Sequence, residues 1–243
     1  MIVILAHADD AAALWLARGL NDLGVQSVEL VAVEQLVFSR RIVHRLSSAS
    51  ETSSVRLADG RVLRSETITG IVNRVRYLPT QHFAAVDQTD RAYATAELHA
   101  FVLAWLNGVA GRVINPPLPF SLGGVTFRTS TVVHLAALAG LPTASWRGST
   151  VAEPVQLEAS LPPTHSVVVL DGRIYGALLP RPLQAGCGQL AALLGLPLLE
   201  VQLHHSRGYG WRFLNATGGA DFRLGGTPLA SALARALVVE RAA

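Results

Sequence analysis

Lysine is absent from this chain: all 20 of its basic residues are arginine. No lysine ammonium is therefore available as a compact point charge for phosphate, and any such role falls to the planar guanidinium fork. Cysteine is nearly absent as well. Cys187 stands alone, which excludes a disulfide framework and any multi-cysteine zinc or iron–sulfur site. Charged residues make up only 15% of the 243 positions and hydrophobic ones 50%, a balance that excludes a disordered chain. The length suits one large domain or two small ones with a real core.

The arginine surplus is small. Net charge is +3 and mean hydropathy +0.37, so the pI of about 9.6 reflects arginine's refusal to titrate more than a basic surface. The arginines are scattered in sequence, with no basic stripe interleaved with aromatics, and a nucleic-acid partner is not expected. A GC-rich coding bias accounts for the arginine-only composition. The most apolar long window, residues 92–111, contains Glu97, His99 and Asn107, which argues against a membrane span. Met1–Ala6 runs directly into His7, Asp9 and Asp10 without a basic segment or cleavage site. A soluble cytoplasmic protein is expected.

The order of elements predicts an α/β fold. Ile2–Ala6 is a continuous apolar run suited to a strand buried on both faces. Asp9 or Asp10 can cap a helix from Ala11 to about Leu23, and Val25–Val33 then reads as a parallel strand. Ile42–Leu46, Ser54–Leu57 and Arg61–Leu63 follow, the last two joined by an Asp59-Gly60 turn. Gly70–Val75 predicts another strand, Asp90–Gly108 a long helix, and Val113-Ile114 a strand stopped by Pro116-Pro117. The pattern restarts with a helix over Arg128–Leu138 and a strand over Pro142–Trp146. Residues 148–163 read as a loop. A hairpin over Ser166–Leu179, a short helix at Gln189–Leu194, strands at Leu198–Leu203 and Trp211–Leu214, and a helix at Pro228–Val239 complete the chain.

Three groups of residues carry candidate chemistry. Arg74 and Arg76 share one face at the carboxyl end of a strand, where open α/β sheets bind ligands, and suit a carboxylate or peptide backbone. Asn115, just before two prolines, is a further ligand-binding candidate, with turn stabilisation as its plainer role. His7-Ala8-Asp9-Asp10 after the first strand is similar to the H-P-D-D loop of zinc deacetylases of the PIG-L/LmbE type. There His7 and Asp10 would be the metal ligands, with helix capping as the plainer role of the loop. Of His204-His205, at most one can join a site, because neighbours on a strand point to opposite faces. Cys187, between two glycines, reads as a small loop residue rather than a nucleophile.

Taken together, the order and local motifs resemble the ATP-grasp superfamily, in its RimK-like, peptide-modifying branch. The likeness rests on residues 1–33 followed by 70–76, on Asn115-Pro116-Pro117 with Arg128 through Ala139-Gly140-Leu141-Pro142-Thr143, and on Ser166–Ala177, residues 193–196 and Trp211–Thr217. The resemblance implies a pre-ATP-grasp-like α/β domain over 1–118 and a truncated ATP-grasp-like α+β domain over 119–243. Members join amines to carboxylates using ATP, Mg²⁺, lysines and a carboxylate set. Here the resemblance sets Gln202, Asn215 and Thr217 at the acidic metal-binding positions and Arg128 at the helix-leading lysine. About 19 residues separate Trp146 from Ser166, fewer than the nucleotide-clamping subdomain needs. The resulting expectation is a non-catalytic relative without cofactor. It would bind a peptide or small carboxylate, or scaffold a peptide-modification pathway with a second copy or a partner enzyme. The alternative is a carboxylate–amine ligase using ATP and Mg²⁺, with Asp221 as substitute acid.

Overall fold

A computed structural model describes residues 1–46, 51–109, 111–119, 121–124, 128–143, 161–208 and 210–238. The chain divides into two compact units, residues 1–124 with 230–243, and residues 125–229. Both carry mixed α/β structure, as the element order predicts.

The first unit opens with β1 (Ile2–Ala6), all five residues buried, followed by α1 (Ala11–Asp22). Asp10 is the N-cap, its Oδ1 accepting from Ala13 N–H at 3.0 Å, which settles the choice between the two aspartates. The expected second strand is shorter than Val25–Val33. β2 covers Val28–Ala32, and α2 (Val33–Val37) takes the remainder, because Gln35 Oε1 accepts from Ala32 N–H and closes the turn. β3 (Arg41–Leu46), β4 (Glu51–Arg56) and β5 (Val62–Arg64) form an antiparallel three-stranded sheet in that order. β6 (Gly70–Asn73), α3 (Gln88–Asn107) and β7 (Arg112–Ile114) complete a parallel sheet of order β2-β1-β6-β7. Its core includes Val3, Leu5, Val31, Ile71 and the fully buried Trp105 of α3. Each such side chain contributes about 1.5–3 kcal/mol when removed from water.

In the second unit, α4 (Thr129–Leu138) precedes β8 (His165–Leu170), β9 (Arg173–Gly176), α5 (Arg181–Leu194), β10 (Leu198–Ser206) and β11 (Gly210–Thr217). The sheet runs β11-β10-β8-β9 and is antiparallel. Asp171 and Gly172 turn the β8–β9 hairpin with φ of 48° and 76°, as a two-residue loop of this kind requires. α6 (Gly226–Val238) begins here and runs into the first unit. Among the described residues, no helix is long and apolar enough to cross a membrane.

Two expectations change. The helix read at Gln189–Leu194 starts eight residues earlier, at Arg181, with Pro180 as N-cap. Gly186 and Gly188 disfavour a helix on propensity alone. Yet a Cβ at Gly186 would meet Leu141 Cδ2 at 2.8 Å and Ala139 O at 3.0 Å, so close packing selects glycine there. Cys187 is consequently a helix residue in the core, fully buried, and burial pushes its thiol up to about 12. It should not react with a thiol-specific disulfide reagent at pH 8 in the folded chain, and should react fully in guanidinium. Rapid native labelling would contradict this burial.

Candidate functional site

β1 and β6 lie side by side and parallel, with Leu5 opposite Asn73, so their carboxyl ends deliver His7–Asp10 and Arg74–Tyr77 to one place. The two constellations that the sequence offers as separate candidates are thereby one cluster. Arg74 donates from Nε to Asp10 Oδ2 at 2.7 Å and from a terminal nitrogen to Oδ1 at 3.1 Å. Both side chains are about nine-tenths buried, 8% and 10% exposed. Burial would raise the Asp10 pKa, but the bonds and charge of Arg74, the Ala13 N–H and the Arg76 charge together hold it below the usual aspartate range. Arg74 thus locks the end of β6 to the start of α1. Arg76 is different: its guanidinium is 59% exposed and meets the open Asp9 carboxylate at 3.1 Å.

His7 is buried beneath this pair. Its Nε2 accepts from the Arg76 backbone N–H at 3.3 Å, and its Nδ1 faces Glu34 Oε1 at 3.2 Å. The neutral tautomer protonated at Nδ1 satisfies both contacts. The exposed Tyr77 ring stacks on the imidazole at 4.3 Å between centroids. With both nitrogens engaged, His7 keeps no lone pair for zinc in this arrangement. Among the described residues, no group of three or more His, Cys, Asp or Glu side chains is arranged to hold a metal ion.

Asn115 and Asn73 are buried behind the arginines. The Asn73 amide donates to the carbonyls of Asn115, at 2.9 Å, and Leu122, and its Oδ1 accepts from Val75 N–H. Asn115 thus presents its backbone to this bond. Gly123 comes so close that a Cβ would lie 2.2 Å from Val75 O. Gly123→Ala should therefore cost about 1–3 kcal/mol in urea unfolding, by pushing apart the strand end that carries Arg74 and Arg76. An unchanged midpoint would refute that close approach.

The remaining candidates lie in the second unit. Strand register sets Gln202 directly opposite Asn215, and Glu200 opposite Thr217, on one face of the β10–β11 pair. The three positions picked from sequence are thus neighbours, joined by an acid that sequence reading missed. Glu200 is buried; its Oε1 accepts from Gln202 Nε2 at 2.8 Å and its Oε2 from Asp221 N–H at 2.9 Å. Asn215 and Thr217 are exposed, and Thr217 Oγ1 accepts from Gly219 N–H. Asp221 caps a 3-10 turn, and both carboxylate oxygens are gripped by Arg223, at 2.7–3.0 Å. Arg128, exposed, is the residue before α4. His204 and His205 do face opposite ways, the first buried and the second exposed.

No protein-family model matches the sequence, and no curated protein matches it by sequence. Solved structures do match by fold. The macrocyclase MdnB from Microcystis aeruginosa MRC aligns at a TM-score of 0.71 with 14% identity, over 98% of each chain. MdnC from the same organism, bound with precursor peptide MdnA, aligns at 0.71 with 12% identity, over 98% of this chain and 99% of that one. A RiPP-associated ATP-grasp ligase from Chryseobacterium gregarium, in complex with ADP and a leader and core peptide, aligns at 0.68 with 10% identity, over 97% and 96%. The fold is that of the ATP-grasp ligases. These spans bear on the expected truncation: the alignments run over nearly the full length of each neighbour and give no support to a lost ATP-grasp segment. Residues 144–160, which hold the end of the strand expected over Pro142–Trp146 and most of the stretch between Trp146 and Ser166 expected as the shortened clamp, lie outside the described residues.

Proposed function

We propose that this chain is a non-catalytic ATP-grasp-fold protein that holds a peptide carboxylate or backbone at Arg76. The observation that carries the reading is the donor set around Glu200. Mg²⁺ is a hard cation that takes carboxylate oxygens, and ATP-dependent ligation needs it bridged to phosphates. Gln202, Asn215 and Thr217 supply neutral oxygens only. Glu200 is the single acid on that stretch of the face, and both of its oxygens already accept hydrogen bonds. Asp221, the substitute acid of the ligase alternative, is bound by Arg223. These residues do not fit a pair of magnesium ions, and the chain has no lysine for the phosphates.

Peptide binding is supported by the peptides carried by MdnC and by the Chryseobacterium ligase. Within this chain, Arg76 is the reachable cation of the cluster. A carboxylate arriving there displaces Asp9, 80% exposed, whereas Arg74 would have to abandon a buried partner. The test is turnover. With Mg²⁺, ATP and a mixture of short peptides, ADP formation should stay at the level of a Glu200→Gln control, below about 0.01 per second against about 10 for a median enzyme. Mg²⁺-dependent ADP formation that is lost in Glu200→Gln would overturn the reading in favour of a ligase.

A further inference from the structure

Four arginines that the sequence scatters between residues 41 and 64 are gathered by strand register. In the three-stranded sheet Arg41 stands directly opposite Arg56, and Arg45 opposite Thr52. Ser54 pairs with Arg64, and Arg56 with Val62. Directly opposed residues share a face, and alternate ones do too, so Arg41, Arg45, Arg56 and Arg64 stand on the same side. Ser53, Val55 and Leu63 point the other way and are buried. The arginine side is the outer one, and all four are exposed.

This face carries no acidic residue. Like charges set directly opposite one another destabilise a strand pair, and Arg41 against Arg56 is such a pair. The guanidinium of none of the four forms an ion pair or hydrogen bond with a described residue. Arg61, just before β5, shows the contrast: Glu29 and Asp59 neutralise it at 2.6 and 2.7 Å. The sheet is also open at one side, since β3 is an edge strand paired only with β4 among the described residues. An edge of this kind offers unpaired backbone groups to an added strand.

We propose that this face and the β3 edge dock an extended, acidic peptide segment. Backbone bonding along β3 would give the register, and acidic side chains four residues apart would meet Arg41 and Arg45, about 13 Å apart on the strand. Arg56 and Arg64 extend the positive surface behind them. The observations favour peptide over nucleic acid: Val43 and Val62 lie between the arginines, and no aromatic ring stands on the face to stack a base. The inference does not rest on the proposed function, because it needs no ligand at Arg76 and no property of the Glu200 face.

Fluorescence anisotropy on the full chain tests it. The probe is a labelled peptide of alternating glutamate and valine, with a glutamine–valine peptide and an oligothymidylate as comparisons. At low salt the glutamate peptide should bind about tenfold or more tighter than the glutamine peptide, and lose affinity as salt screens the charges. Arg41→Glu and Arg56→Glu should each weaken it about tenfold, and Arg41→Gln by less. Arg18→Glu, an exposed change on α1 with the same effect on net charge, should leave it within about twofold. The proposal is overturned by no binding up to millimolar peptide, by equal weakening in Arg18→Glu, or by oligothymidylate binding more tightly than the glutamate peptide. Circular dichroism confirms that each variant is folded before it is counted.

Discussion

Replacing Arg74 with alanine should lower the unfolding free energy by about 3–5 kcal/mol, measured by urea denaturation at pH 7. The change leaves the Asp10 carboxylate buried without its counter-charge, and that uncompensated burial is the larger part of the cost. The double variant Arg74→Ala, Asp10→Ala should therefore lose less than the sum of the two single variants, since no charge is then stranded. The pair also predicts a direction with pH. Asp10 has its folded pKa below the unfolded value, so its contribution is complete above about pH 4–5 and disappears as pH falls through the folded value. The difference in stability between wild type and Asp10→Asn should accordingly be flat from pH 6 to 8 and shrink in acid. A difference that grew in acid would contradict the Arg74 assignment.

Trp105→Ala should be comparably damaging, at about 3–5 kcal/mol, because the indole is fully buried in the core of the first unit. Trp105→Phe separates packing from polarity. The indole Nε1 is buried without a hydrogen-bond partner among the described residues, so phenylalanine removes an unsatisfied donor along with some volume. Its cost should fall below about 1.5 kcal/mol, far less than ring truncation. If phenylalanine and alanine were equally destabilising, the Nε1 would have a partner and the packing account of this core would need revision.

Much of the fold is legible locally. β1 announces itself by an unbroken apolar run, α1 by the aspartate before it, and the Asp171-Gly172 hairpin by its turn residues. α5 is hidden because it contains two glycines of low helix propensity, one of which, Gly186, is required by close packing against Leu141. The site is less legible, for a related reason. Arg74 and Arg76 can be placed at a strand end from the alternation of residues 70–76. That Arg74 is occupied depends on Asp10, 64 residues earlier in the chain, and on the parallel pairing of β1 with β6. Glu200 escaped notice because it belongs to no motif, and only the register of β10 against β11 brings it beside Gln202, Asn215 and Thr217. The arginine face of β3–β5 is a further case, in which dispersed charges become a surface through strand pairing alone.

The division of labour between Arg74 and Arg76 follows from burial. One guanidinium is locked to Asp10 at the strand end, and the other, two residues on and exposed, is the one to which we assign an incoming carboxylate. On the function proposed above, this ATP-grasp fold binds a ligand at that strand end and, with amide and hydroxyl groups around Glu200, does not activate it.

Calorimetric titration with ATP, with and without Mg²⁺, tests that claim most directly. No Mg²⁺-dependent heat is expected up to millimolar nucleotide, and no shift in the melting temperature. Tight binding that requires Mg²⁺ would contradict it. At a hundredfold excess over Kd such binding would stabilise the fold by about 2.7 kcal/mol, and it would mean that Glu200 and its neighbours hold the metal after all.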